Sequence, residues 1–262
     1  MTPRIASIRS PGGRLLTVEV PESCASTAAY LEEIARHEGQ DGYVVACDRV
    51  TTPAVPLPPE KEGESTLHVS ILLRPSFSPA RGVMLAALAS LSLARAVEAH
   101  STYEPHIRWV SDVYGDKRRV AGVTMRASLH PSGAGYLYII VNLALRITKE
   151  FAGTLPDIVA SVFSSHRASL TDRVADALID DFFSLYEEMT VREQTKAILD
   201  EYRALSIQRG KRIRILRDGK RRVGTVIGID DNARLVVALR RGGSVVLHSA
   251  AEIYVKRRKH TK

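Results

Sequence analysis

The sequence has little cysteine, few aromatics and, at its two ends, little acid. Two cysteines in 262 residues, Cys24 and Cys47, cannot build a disulfide framework and match no metal-ligand spacing. That excludes a small stapled scaffold of the secreted kind and points to a reducing compartment, mitochondrial or cytoplasmic. Both cysteines read as small buried hydrophobes. The histidines, among them His37, His68, His100, His130 and His166, show no paired spacing, so no metal site is expected. No unbroken run approaches the roughly 18 apolar residues of a membrane-spanning helix, so no span is expected. What remains is an ordinary globular composition, 45% hydrophobic and 25% charged. The length allows one substantial core and a smaller module.

Acid is missing from residues 1–18, which hold Arg4, Arg9 and Arg14. An Arg-rich, Ser-containing, acid-poor start has the composition of a mitochondrial presequence. Pro3, Pro11 and the Gly12-Gly13 pair, however, spoil the amphipathic helix such a signal needs. Residues 1–14 are therefore read as a frayed basic tail, with mitochondrial import as the alternative. At the other end, residues 206–262 carry 16 Lys or Arg against 4 Asp or Glu, a net +12, which leaves the preceding residues at −4. A mildly acidic body thus carries a strongly basic module, and the module calls for an anionic partner: nucleic acid, phosphate or an acidic protein.

Hydrophobic period separates the elements. Alternation in "RLLTVEV" predicts a strand. "SCASTAAYLEEIARHEG" predicts a helix capped by Ser26 or Thr27 and closed near Gly39. "YVVAC" is a buried strand, and "DRVTTPAVPLPPEKEGES" is a loop, since Pro53, Pro56, Pro58 and Pro59 exclude regular structure. "TLHVSILLRP" is a strand ending at Pro75, and "SPARGVMLAALASLSLARAVEAH" a buried helix with Pro79 at its first position. "HIRWVSDVYGDKRRVAGV" reads as strand, tight turn and strand, with Trp109 and Asp112 ahead of the turn. "GYLYIIVNLAL" is an apolar strand, followed by helices over about 171–189 and 191–205. Residues 206–262 hold four short alternating strands between turn signals at Asp218-Gly219, Asp230-Asp231-Asn232 and Gly242-Gly243. Such a segment makes a small SH3-like barrel. The division expected is tail 1–14, α/β body 15–205 and basic barrel 206–262.

With that order on the page, particular residues carry a resemblance. Ser26-Thr27, the strand "LHVSILLRP", "RWVSDVYGDKRRVAG" and the terminal "RVGTVIGIDDNARLVV" resemble, in order and spacing, the motifs of the biotin protein ligases. The resemblance covers nearly the whole chain. It implies an α+β fold: a biotin/lipoate-ligase-like body of mixed sheet and helices, followed by a small SH3-like barrel. It also implies formation of biotinyl-AMP from biotin and Mg-ATP, and transfer of biotin to a lysine of a carboxylase carrier domain. By resemblance, Asp112 and Arg119 stand at catalytic positions. Ser26, Thr27, Arg49, Trp109, Gly122 and Asn142 then stand around the biotin and adenylate pocket.

The chemistry, however, departs from the family. An adenylate needs cations and backbone N–H groups around its phosphate. The family supplies them from a Gly- and Arg-rich loop, whereas "TTPAVPLPPEKEGE" has no arginine, one late glycine and four prolines, which bring no N–H. The lysine expected seven residues after Asp112 is Arg119, and the two cations are not interchangeable at a point contact. Ile140 and Val141 stand where small residues leave room for ligand. Plain structural readings compete at each position: a turn role for Asp112, core packing for Trp109, a solvated strand for Arg119, a helix cap for Ser26 and Thr27. The expectation is a degenerate ligase, needing no cofactor, that serves as a binding or scaffold component of a larger assembly, RNA-containing assemblies included. The alternative is a divergent but active ligase using biotin, ATP and Mg and acting on a carrier domain. Contacts to protein or RNA are expected from Lys211, Arg212, Arg214, Arg217, Lys220, Arg221, Arg222, Lys256, Arg257 and Arg258. They would be phosphate contacts without base stacking, since Tyr254 is the one aromatic there.

Overall fold

The structure, a computed structural model, describes residues 4–37, 39–132, 135–147, 170–217, 219–240 and 242–253. Strand β1 (Arg4–Arg9) runs antiparallel to β2 (Leu15–Val20). Over these six residues the expected basic tail is an edge strand instead. Its side chains are largely exposed, with only Ala6 and Ile8 partly covered, so little hydrophobic alternation marked it.

Helix α1 (Thr27–Arg36) then carries the chain across to β3 (Tyr43–Cys47), which lies parallel to β2. Strand β4 (Ser65–Leu73) is buried from Thr66 to Leu73 and forms the middle of the sheet. Cys47 is buried, but Cys24 is only half-buried; both are free thiols.

Helix α2 (Gly82–His100) follows a short turn in which Ser78 caps Ala80 and Pro79 opens the helix. With that turn, Pro79–His100 contains an 18-residue window of mean hydropathy 1.5, long and apolar enough to cross a membrane, although no unbroken apolar run announced it. The fold explains the composition: 72% of that window is buried inside the protein, as in a core helix.

The quoted hairpin is three strands rather than two. Strands β5 (Pro105–Arg108), β6 (Asp112–Gly115) and β7 (Arg118–Leu129) pair antiparallel in series. Trp109 and Val110 thus lie in the first turn. Strand β8 (Tyr136–Ile147) inserts between β4 and β7 and completes an eight-stranded mixed sheet, β1-β2-β3-β4-β8-β7-β6-β5. Helix α3 (Leu170–Thr190) matches its expected span, but α4 (Thr195–Ala204) starts four residues late. Val191 to Gln194 turn, with Glu193 at φ +53.

Helix α1 covers one face of the sheet, with Leu31 and Ala35 on Val45, Leu72 and Ile140. Helices α2, α3 and α4 cover the other. Part of the α1 face is left to the segment between β3 and β4.

Strands β9 (Arg212–Arg217), β10 (Lys220–Ile229), β11 (Leu235–Leu239) and β12 (Ser244–Leu247) form a separate antiparallel sheet, compatible with an SH3-like module. It is tied to the body at Trp109, which is 3% exposed. The indole Nε1 donates to the Ala233 carbonyl at 2.7 Å, and the Trp109 amide to Gln208 Oε1 at 2.6 Å. Ile215, Val226, Leu235 and Val237 belong to the same hydrophobic core as the body.

Candidate functional site

The α1-side face of β4, β8 and β7 is built in rows, because residues directly opposite in a ladder point the same way. Ser70, Asn142 and Thr124 make one row, and His68, Ala144 and Gly122 the next. Thr66 and Arg146 follow on β4 and β8. The first row is a hydrogen-bonded chain that starts from α1. Ser70 Oγ lies 2.8 Å from both Thr27 Oγ1 and Asn142 Oδ1, and Asn142 Nδ2 donates to Thr124 Oγ1 at 3.4 Å. Ser70, Asn142 and Thr27 are 0%, 2% and 3% exposed, so each polar group needs a protein partner, and this chain supplies them. Strand β8 presents Asn142 and Ala144 here. Val141 points into the opposite core, which corrects the expectation that it crowds the pocket, while Ile140 shares the face of Asn142 one row on and lies under α1.

The crowding comes from the proline-rich segment. Its start runs beside the chain ahead of α1, with Cys24 N donating to Arg49 O, Thr51 N to Cys24 O and Thr52 N to Ala25 O. Thr124 Oγ1 donates to the Ala54 carbonyl at 3.3 Å, and Val55 is 1% exposed. Residues 54–60 therefore lie on the polar rows as a roof.

Three guanidiniums hold that roof. Arg119 Nη1 donates to Pro56 O at 3.0 Å, Arg146 Nη2 to Pro58 O, and Arg118 Nη2 to Pro59 O at 2.9 Å. Prolines remove donors but keep carbonyls, so a proline-rich segment is an acceptor surface that arginines can clamp. Carboxylates of the same segment close the network. Glu64 pairs with both terminal nitrogens of Arg118, and Glu60 Oε1 lies 2.8 Å from Arg146 Nη1. The Arg118 guanidinium beside Glu64 holds its carboxyl down at about 2, although burial opposes this. Burial pushes His68 down to about 4, with Arg146 adding to the shift and Glu60 opposing it. His68 is thus neutral at physiological pH.

Asp112 and Arg119 come together. Arg119 Nε stands 2.8 Å from Asp112 Oδ1 in an ion pair short of hydrogen-bond geometry, while Arg108 donates to Oδ2 at 2.7 and 3.2 Å. Gly122 is opposite Asp112 in the ladder, and a Cβ there would run into the Arg119 guanidinium. The glycine gives Arg119 passage across β7.

Of the remaining expected residues, Thr27, Gly122 and Asn142 line this face, and Ser26 caps α1 by accepting from Ala29 N at 3.4 Å. Two residues fall away from it. Arg49 is 64% exposed and faces Glu22, and Trp109 is buried between body and small sheet. Arg118, Arg146, Glu60, Glu64 and Ser70 were not singled out from the sequence. One signal was present: Arg146 stands near the end of a strand that is apolar but for Asn142 and two tyrosines, and it calls for a carboxylate, which "EKEGE" offers.

The arginines here are engaged by Asp112, Glu60, Glu64 and the Pro56, Pro58 and Pro59 carbonyls. Among the described residues no group of three or more His, Cys, Asp or Glu is placed to hold a metal ion. On the small sheet, Arg212, Arg214, Lys220, Arg221 and Arg222 line up on β9 and β10 with Lys211 just ahead, and Arg217 donates to Val246 O at 3.1 Å. Lys256, Arg257 and Arg258 lie outside the described residues.

No protein-family profile matches this sequence, and no curated protein does. Solved structures do. A biotin protein ligase from Aquifex aeolicus aligns over 92% of this chain and 98% of its own, at a TM-score of 0.64 and 16% identity. The Aquifex aeolicus enzyme in complex with biotin and ATP aligns over 90% and 97%, at 0.64 and 15%. A biotin protein ligase-like protein of unknown function from a Silicibacter species aligns over 92% and 96%, at 0.65 and 14%. The fold of this chain is the biotin protein ligase fold.

Proposed function

We propose that this protein is a biotin protein ligase-like chain without ligase turnover, serving as a binding or scaffold component of a larger assembly. One observation carries the reading. The segment at the place of the family's Gly- and Arg-rich loop lies on the polar rows and is clamped there by Arg118, Arg119 and Arg146. The three cations that would meet a phosphate are spent on the chain's own carbonyls and carboxylates, and Asp112 is neutralised from both sides. With chemistry lost and fold kept, the surfaces remain as the functional parts.

A second reading is a divergent active ligase, which would form biotinyl-AMP from biotin and Mg-ATP and pass biotin to a carrier-domain lysine. The Thr27–Ser70–Asn142–Thr124 chain favours it, because buried hydroxyls and an amide suit a polar ring such as biotin's ureido group. It requires the proline-rich segment to swing out. Biotin-dependent exchange of labelled pyrophosphate into ATP separates the two readings. The non-catalytic reading expects no exchange above a protein-free control; exchange that saturates with biotin overturns it.

A further inference from the structure

Many arginines of the body are matched by acid. Arg14 pairs with Asp41, Arg95 with Asp181 and Glu201, Arg118 with Glu64, Arg126 with Glu32, and Arg146 with Glu60. The small sheet behaves differently. Its described acids sit away from the β9–β10 hairpin tip: Asp230 is held by Arg234, Asp231 by Arg203, and Glu252 caps a turn. Among the described residues no carboxylate stands within ion-pair reach of Arg212, Arg214, Lys220, Arg222 or Arg240. All five are exposed.

These cations are ordered by the ladder. Arg212 on β9, Thr225 on β10 and Ala238 on β11 stand opposite one another, and Arg214 stands opposite Val223. The Arg240 amide donates to Val223 O at 3.4 Å and brings that side chain to the end of the second row. Arg212 and Arg214 share a face two residues apart, so they are spaced by about 7 Å along the strand. Beside the hairpin tip lies a groove of about 930 Å³ lined by Arg212, Lys220, Arg221, Arg222 and Arg240 with Val223 and Leu239. The register puts Arg212 and Val223 on one face of the ladder and Lys220, Arg222 and Leu239 on the other, so the groove runs along the rim of the sheet rather than over one face.

We infer that this groove binds the phosphodiester backbone of a nucleic acid. Among the described residues the groove's polar side chains are donors without a carboxylate, whereas a polypeptide presents donors and acceptors together. A backbone whose surface is phosphate oxygen needs only donors, and guanidinium is the side chain that meets phosphate in a fork. Among the described residues the groove's apolar lining is aliphatic, with no aromatic platform, so bases are not stacked and sequence is not read. The inference names a partner for the binding role proposed above but rests on the small sheet alone. Pyrophosphate exchange reads the roofed face, and the assay below reads the groove, so either can fail without the other.

The test uses the full chain and a fluorescein-labelled, mixed-sequence single-stranded oligonucleotide, as RNA and as DNA, followed by anisotropy across a salt series. Four engaged cations predict that log affinity falls against log salt with a slope of about −3. The double charge reversal R212E/R240E, at two exposed positions, should lower affinity at least about tenfold and bring the slope to about −1.4. Circular dichroism checks that this variant is folded. R36E on α1 should leave both quantities unchanged. An unaltered slope in R212E/R240E, an equal loss in R36E, or displacement of the oligonucleotide by polyglutamate at matched charge would overturn the inference.

Discussion

Glu64→Gln removes the charge that fastens the roof to β7 while keeping the shape of the side chain. In the folded protein Glu64 is 9% exposed and meets both terminal nitrogens of Arg118, and its carboxyl is held at about 2 against an ordinary 4.5. That gap corresponds to about 3 kcal/mol of stability at neutral pH. Arg118 is 24% exposed, and solvent screening there, together with the acceptor that Gln retains, brings the expected loss to about 2 kcal/mol. The sign follows from the depressed value. The folded state resists protonation, so the contribution is full above about 4.5 and is lost as pH falls toward 2. Urea unfolding at pH 7 should therefore show the variant weaker by about 2 kcal/mol, and the difference should vanish near pH 2. A loss below about 0.5 kcal/mol at pH 7, the size of an ordinary surface change, would refute the clamp, as would a difference that persists undiminished in acid.

Other outcomes follow from neighbouring groups. His68 stays neutral in the fold down to about pH 4, while the unfolded chain takes its proton near 6.5. Stability should thus fall as pH drops from 6.5 to 4, and His68→Gln should flatten that part of the profile; a titration of the His68 ring by NMR above pH 5.5 would contradict this. Trp109→Phe deletes the indole donor to Ala233 O and should cost about 1–3 kcal/mol. It should also speed proteolytic cleavage between body and small sheet, and unchanged cleavage would count against Trp109 as the tie. Arg119→Lys restores the family's residue type but cannot reach Asp112 and Pro56 O together. It should cost about 1 kcal/mol and produce no pyrophosphate exchange; exchange in this variant would show that the cation alone was missing.

The sequence carried those elements whose signal is local. Ser78-Pro79 and the apolar body fixed α2, helical spacing from Val174 to Leu185 fixed α3, and turn residues at 230–232 and 242–243 marked the last strands. It was less clear where tertiary pairing decides. Arg4–Arg9 bury almost nothing and became a strand only because β2 offers an open edge. Asp112 and Arg119 were found, but not that each answers the other. The roof was hidden because proline content says what a segment cannot form, not where it lies. Its place depends on Arg118 and Arg146, reached from β7 and β8 across more than 50 residues of chain. Arg49 was placed by resemblance, and its side chain is instead exposed and faces Glu22.

The central claim, that the ligand face is closed by the chain's own proline-rich segment, is tested most directly by calorimetric titration of the protein with biotinyl-AMP. This compound fills both halves of the family's pocket without requiring turnover. The account predicts no saturable heat in the wild-type protein. Tight, stoichiometric binding would contradict it and return the chain to the working ligases.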